Sequence, residues 1–178
     1  MPPLRRGLSV HVRYPRPSDR ATFLEAVHRS RRLHRPWVSP PADDETFARF
    51  VRTARRNDTQ RLLIGANDGG ALVGVVNLTQ IVDGPFRNAS LGYYAFSPFD
   101  GRGLMKEGLR LCLRHAFDER RLHRVQAAVQ PGNERSLALL RSLGFTEEGH
   151  ARRYLKIGGR WRDHVVFAIL AEDMPWRR

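Results

Sequence analysis

The stretch Tyr93–Phe117, YYAFSPFDGRGLMKEGLRLCLRHAF, holds a strand end, a proline turn, two glycines one residue apart and the start of a helical pattern. A strand that passes through glycines into a helix presents free backbone N–H groups and the positive end of the helix dipole. Glycine also lets a ligand touch the backbone. The turn at Gly101, Arg102 and Gly103 therefore suits an anion, with pyrophosphate the natural guest and Arg102 a source of charge-assisted contacts. A dinucleotide fingerprint wants a third glycine at position 106, which is Lys106. A P-loop wants Gly-Lys-Ser/Thr at the end of the turn, which GRGLMKEG lacks. Taken alone, the glycine pair also fits a plain structural turn.

Outward from this centre the chain alternates between strand and helix signals. LSVHVRYP predicts a first strand. PSDRATFLEAVHRSRRLH predicts a helix with Ser18 as N-cap and Phe23, Leu24, Val27 and Leu33 on one face. The prolines of RPWVSPPADD make a loop, and DDETFARFVRTARR predicts a second helix with acids in its first turn and arginines in its last. RLLIGANDGGALVGVVNLTQIV reads as two strands around Asn67-Asp68-Gly69-Gly70, and NASLGYYAFSP as a further strand. A third helix is expected from about Gly103 to Arg120, with Met105, Leu109, Cys112, Leu113 and Ala116 facing inward. Gly108 inside it costs about 1 kcal/mol relative to alanine, tolerable where a helix must press close to a sheet. HRVQAAVQ is a strand, NERSLALLRSL a short helix, and FTEEGHARRYL with RWRDHVVFAIL a final strand pair around Gly158-Gly159. This order predicts an α/β (α+β) fold, a mixed central sheet of about seven strands with helices on both faces.

At 178 residues and 41% hydrophobic content the chain is expected to form a single domain over residues 1–178, its core within about 8–170. No apolar run approaches the roughly 18 residues of a membrane span. MPPLRRGLSVHVRYP has no apolar stretch behind its basic residues, so a cytoplasmic location without membrane partners is expected, in keeping with the lone Cys112. The formal net charge is +13, and the 31 basic residues include only two lysines, Lys106 and Lys156. Such a surface attracts phosphates, acidic proteins and RNA. The arginines are spread along the chain, however, with no zinc-ligand spacing and no RNP-like strand. A non-catalytic module that binds RNA or ribosomes stays open as an alternative. Monomer and homodimer are both compatible with these patterns.

The second half narrows the reading. AAVQPGNERSLALLRSLGFTEEG sets an Asn after a strand, a Ser three residues on and a helix ending in Leu-Gly-Phe, about 30 residues after GRGLM. Together these segments resemble the acetyl-CoA-dependent N-acetyltransferases of the GNAT superfamily. FDGRGLM, LHRVQAAVQPGNERSLALLRSLGFTEEG, GGRWRDHVVFAIL and the Pro-Trp loop HRPWVSP resemble more narrowly the ribosomal-protein-alanine N-acetyltransferase (RimJ/RimL-like) branch. The resemblance runs from about Leu8 to Leu170.

That resemblance implies acetyl-CoA as co-substrate, with no metal. It also implies that the acceptor is a protein N-terminal α-amino group, the N-terminal alanine of a small-subunit ribosomal protein. The amine would attack directly in a ternary complex; acetylation of a small-molecule amine, an antibiotic or polyamine, is the rival reading. By the same resemblance Gly101, Arg102, Gly103, Leu104 and Met105 surround the CoA pyrophosphate, with Pro98 standing where the branch usually has Gln or Arg. The strand ending Tyr94-Ala95-Phe96 would pair with the pantetheine arm, so Ala95 and Phe96 are expected to be cofactor-binding, and N–H groups at its end to stabilise the oxyanion. Asn133 would hold CoA or a water, and also suits a helix N-cap. Leu140 stands where many members have a tyrosine as the acid, so another donor or water must act; the resemblance to the ribosomal branch implies Ser136 as that catalytic donor, although a first-turn serine is also an ordinary structural choice. Trp37 in the proline loop, Tyr93 and Asp163 are the expected acceptor-side residues.

For the general base, Tyr93, Tyr94, His123 and Glu148 are candidates by element. An α-amino group is neutral to about a tenth at pH 7, whereas a lysine side chain is neutral to about one part in a few thousand, a handicap of about 5 kcal/mol. An N-terminal acetyltransferase can therefore use a weak base.

Overall fold

The computed structural model describes residues 3–174. Its strands are β1 (Arg5–Arg6), β2 (Val10–Arg13), β3 (Arg55–Arg56), β4 (Thr59–Ala66), β5 (Leu72–Val82), β6 (Asn88–Ala95), β7 (Arg124–Val129), β8 (Thr146–Ile157) and β9 (Arg160–Leu170). The helices are α1 (Arg20–Arg29), α2 (Arg31–His34), α3 (Asp44–Arg52), α4 (Leu104–Arg114) and α5 (Glu134–Ser142). All strands join one sheet in the order β1-β2-β4-β5-β6-β7-β9-β8, with β3 beside β4. Nine strands replace the expected seven or so, the additions being the two-residue β1 and β3, too short to leave an alternating pattern. The α/β class stands as read.

Helices cover both faces, and each face has its own core. On one side Phe23, Ala26 and Val27 of α1 and Phe47 and Phe50 of α3 pack on Leu63, Leu72, Val75, Tyr94 and Phe96. On the other, Met105, Leu109, Cys112 and Leu113 of α4 and Leu137 and Leu140 of α5 pack on Ile64, Val73, Val76, Ala127 and Phe167. The inner face of α4 is the predicted one. Only β6 and β7 run parallel, joined through α4; the other pairings are antiparallel. Among the described residues no helix is long and apolar enough to cross a membrane.

Two boundaries differ from expectation. Ser18 does not cap α1, because a short 3-10 turn, Pro17–Asp19, comes first. There the Asp19 carboxylate accepts the Arg16 N–H at 2.7 Å and both Arg13 guanidinium N–H groups at 2.7 Å, and α1 itself begins without a side-chain cap. The third helix does not run regularly to Arg120 either. α4 ends at Arg114 and the chain widens into a π turn, His115–Glu119, where buried His115 bridges Gln60 and Glu119.

Gly108 answers the question its sequence position raised. A Cβ there would lie 2.4 Å from Ile64 Cδ1 and 2.8 Å from Ile64 Cγ1 and Cγ2, so α4 sits on β4 at glycine distance. Gly108→Leu is therefore expected to destabilise by about 2 kcal/mol through overpacking, even after the gain of about 1 kcal/mol in helix propensity. Thermal unfolding should show a fall of about 6 °C; an unchanged or raised midpoint would contradict this close approach.

Candidate functional site

The site begins with a divergence in the sheet. β6 and β7 pair from Asn88 with Arg124 to Leu91 with Ala127, and no further. Beyond that point Gly92–Ala95 still pairs with β5, while Ala128 and Val129 pair with β9. A slot opens between the two strands. Pro131, just past β7, has no N–H to donate, in keeping with an end to pairing there. The Phe96 N–H donates to Val73 O at 2.7 Å, facing β5. Backbone groups alternate along an antiparallel pair, so Tyr94 also faces β5, and the N–H groups of Tyr93 and Ala95 face the slot.

At one end of the slot lies the glycine turn. Gly101 and Gly103 have φ of +73° and +77°, and a Cβ on either would meet nothing within 4 Å. Left-handed φ and open space together describe a backbone shaped for close approach from outside. The first helical bond of α4 runs from Glu107 N–H to Gly103 O at 3.1 Å, so the N–H groups of Gly103 to Lys106 precede the ladder. Lys106 and Arg135 line the same end, and Arg135 pairs with Asp100 at 3.4 Å. This is an anion cradle of backbone donors with cations beside it, which fits a pyrophosphate.

The wall formed by α5 brings two hydroxyls together. Asn133 Oδ1 accepts the Ser136 N–H at 3.3 Å, so Asn133 is the N-cap of α5 and also lines the cleft. Ser136 Oγ lies 2.7 Å from the Tyr93 hydroxyl, which also reaches Ser136 O at 3.2 Å. Burial pushes the Tyr93 phenol up to about 12, against the smaller opposing effect of the Ser136 hydrogen bond. Tyr93 therefore stays protonated at neutral pH. It can donate a proton but cannot serve as the base.

The opposite wall carries two histidines that the sequence reading passed over. His34, 3% exposed at the end of α2, has Nε2 2.9 Å from Ala95 O, and its buried Nδ1 has no partner. Since a carbonyl only accepts, Nε2 carries the proton and Nδ1 the lone pair. His164, 2% exposed on β9, has Nδ1 3.0 Å from Arg162 O, which leaves Nε2 as its lone-pair nitrogen by the same argument. Burial lowers the pKa of both, keeping the imidazoles neutral. The Ala95 carbonyl is held by His34, so Ala95 offers the slot its N–H alone.

Trp37 closes the cleft from above: Gln130 Nε2 donates to Trp37 O at 3.4 Å, and a Cβ on Gly132 would lie 3.4 Å from the indole. The resulting cleft holds about 610 Å³, within the range of small-ligand sites. Trp37, Tyr93, Ala95, Gly101, Gly103, Met105, Asn133 and Ser136 all line it, so one space gathers most residues singled out by sequence.

Several others lie elsewhere. Phe96 is fully buried in the α1–α3 core, and both its backbone groups are taken, by Val73 O and Phe99 N–H. Phe96 thus offers the slot no free backbone group. Arg102 is exposed beside the turn, and Leu104 starts α4 packed toward the core; neither lines the cleft. Asp163 sits one residue from His164 and so faces the other side of the sheet, where its Oδ1 accepts the Arg153 N–H at 2.8 Å across a bulge in β8.

The other base candidates fail on position or charge. Tyr94 packs its ring against His34 and Phe96, and burial raises its pKa far beyond use. His123 pairs with Glu172 at 3.1 Å on the surface. Glu148 is held below the usual carboxylate range by its hydrogen bond with Arg124. Cys112 is fully buried in α4 with its thiol pushed up, which removes it as a nucleophile. Among the described residues no three His, Cys, Asp or Glu side chains gather into a metal-holding group.

Comparison with known proteins agrees with the fold. The sequence profile of the acetyltransferase (GNAT) domain family matches residues 9–146. The chain is 44% identical over 102 residues to the probable N-acetyltransferase YjcK of Bacillus subtilis (strain 168), covering 57% of this chain and 56% of that one. It is 41% identical over 106 residues to the [ribosomal protein uS5]-alanine N-acetyltransferase of Escherichia coli (strain K12), covering 60% and 55% respectively. The match thus spans about half the length of these curated relatives. Among solved structures, Mycobacterium smegmatis RimJ in complex with CoA-disulfide superposes with a TM-score of 0.85 at 30% identity, covering 93% of this chain and 84% of that one.

Proposed function

The chain belongs to the GNAT acetyltransferase family, and from that premise we propose that it transfers acetyl from acetyl-CoA to the α-amino group of a protein N-terminus, an alanine of a ribosomal protein. The observation that carries the reading is the slot between β6 and β7, which leads from the Gly101–Gly103 cradle past Ala95 to the Tyr93–Ser136 pair. The backbone N–H groups of Gly103 to Lys106 would hold the pyrophosphate, with Lys106 beside them. Bound there, acetyl-CoA supplies the activated acetyl thioester. The Ala95 N–H faces the slot, free to donate to an acyl oxygen.

Ser136 Oγ holds the proton that a departing thiol sulfur needs, the Tyr93 hydroxyl 2.7 Å away replaces it, and the second proton that the nitrogen loses on becoming an amide restores the one Tyr93 gives up. Neutral His164, its lone pair on Nε2, is the base for the incoming ammonium. Trp37 and Leu155 line the acceptor side with apolar surface.

The charge of the lining supports a peptide over a polyamine. Asp100 is the sole acid among the residues lining the cleft, and it already pairs with Arg135. A multiply cationic acceptor would meet no free carboxylate there. The similarity to an E. coli [ribosomal protein uS5]-alanine N-acetyltransferase supports the same choice.

The test is to incubate the purified protein with acetyl-CoA and a peptide beginning with alanine and carrying an internal lysine, then locate the acetyl group by mass spectrometry. The expected product bears acetyl on the alanine nitrogen alone. Acetyl on the lysine, or no product despite demonstrable CoA binding, would overturn the reading.

A further inference from the structure

The β8–β9 hairpin carries charge that acetyl transfer itself does not use. Residues 158–163 are exposed, whereas His164, next on β9, is buried in the cleft wall. Arg162 stands directly opposite Leu155 and Arg160 directly opposite Ile157. Opposed residues on an antiparallel pair point to the same face, and both Leu155 and Ile157 line the cleft. The alternation of β9 gives the same result independently: residues 160, 162 and 164 share one side, and His164 lines the cleft. Arg160 and Arg162 thus form a cationic rim on the acceptor side.

Neither guanidinium has an ion-pair partner among the described residues. The nearest acid in sequence, Asp163, lies on the opposite face and is tied to the Arg153 N–H. We propose that Arg160 and Arg162 form a subsite for carboxylates of an acidic acceptor peptide, immediately downstream of the residue that is acetylated. The proposal rests on the acetyl-transfer reading of the cleft.

The geometry matches an extended chain. Two residues apart on one strand, the rim positions stand about 7 Å apart, the repeat of same-side side chains in any extended peptide. Acids at alternate positions of the acceptor meet both guanidiniums, while the aliphatic side chains of Leu155 and Ile157 face the residues between. Beside Arg160 and Arg162 β9 pairs with β8 alone, because its pairing with β7 begins only at Val165, so the rim adjoins an open strand edge. A paired, inward-facing cation would not discriminate between acceptors; two unpaired ones at the mouth do.

The experiment compares kcat/KM for two peptides identical except for their second and fourth residues, one beginning Ala-Glu-Ser-Glu and the other Ala-Lys-Ser-Lys. The acidic peptide is expected to be preferred about tenfold at low salt, about threefold for each exposed ion pair. The preference should fall toward parity near 1 M salt. Arg160→Glu with Arg162→Glu inverts it, and the Gln pair, a milder change, abolishes it. Equal kcat/KM for both peptides in the unaltered protein, or a loss in the variant that is the same for both, overturns the subsite. A variant that loses binding to a single-stranded RNA probe while keeping the peptide ratio also overturns it, assigning the rim to RNA. If neither peptide is acetylated, the acetyl-transfer reading itself falls, an outcome distinct from equal turnover.

Discussion

Ser136→Ala is expected to lower kcat about a hundredfold, roughly 2.7 kcal/mol of barrier, while CoA affinity and thermal midpoint change little. Ser136 Oγ is the hydroxyl on the cleft side of α5, and its N–H, not its side chain, completes the Asn133 cap. Removing the hydroxyl therefore leaves the cap in place. Tyr93→Phe should cost about tenfold, because Ser136 then keeps its proton but loses the partner 2.7 Å away. The decisive quantity is the double variant. If the two hydroxyls act as a relay, Tyr93→Phe adds almost nothing once Ser136 is alanine, since groups that act as a unit are non-additive. Costs that multiply would show two separate roles. A loss confined to KM or to the melting temperature would leave Ser136 a structural residue only.

Why this pair escapes notice in the sequence is a matter of distance along the chain. NASLGYYAFSP identifies Tyr93 as a strand residue, and NERSLALLRSL identifies Ser136 as a first-turn helix residue. Their contact spans 43 positions and exists because β6 and β7 run parallel with α5 returning over the slot. No local pattern encodes that. The glycine turn is legible for the opposite reason, since positive φ at Gly101 and Gly103 and a helix start are local events with a residue signature.

Asp163 and Phe96 lie off the cleft for one shared reason. Side chains on a strand alternate, so a function assigned one residue out of phase falls on the wrong face. Asp163, with its chemically attractive carboxylate, faces away, while His164 beside it lines the cleft. In the same way Tyr93 and Ala95 present their N–H groups to the slot, and Phe96 to Val73. His34 has no pattern at all. A lone histidine in RRLHRPW gives no hint of a 2.9 Å bond to a carbonyl 61 positions away.

The second large effect concerns His164 and is best read as a pH profile. Burial lowers the pKa of His164, its first and largest influence, while the Arg162 carbonyl and the Asp163 charge oppose this more weakly. From β8 the Tyr154 ring packs against it at 5.8 Å, adding no charge. The imidazole is therefore neutral from alkaline pH down past 6.5, and is lost as a base only as the pH falls through its lowered value. A peptide ammonium has a pKa near 8. If the ammonium binds and His164 Nε2 takes its proton, kcat/KM stays level between these two values. His164→Gln removes that route, and only the neutral amine reacts. The variant should then lose about tenfold per pH unit below 8, a further loss of about 30-fold at pH 6.5 beyond its deficit at pH 8.5. A variant profile parallel to the unaltered one would mean that His164 shapes the cleft without handling the proton. The sign is specific to a base: an acid at this position would steepen the alkaline limb instead. A change in folding stability alone would scale both limbs together.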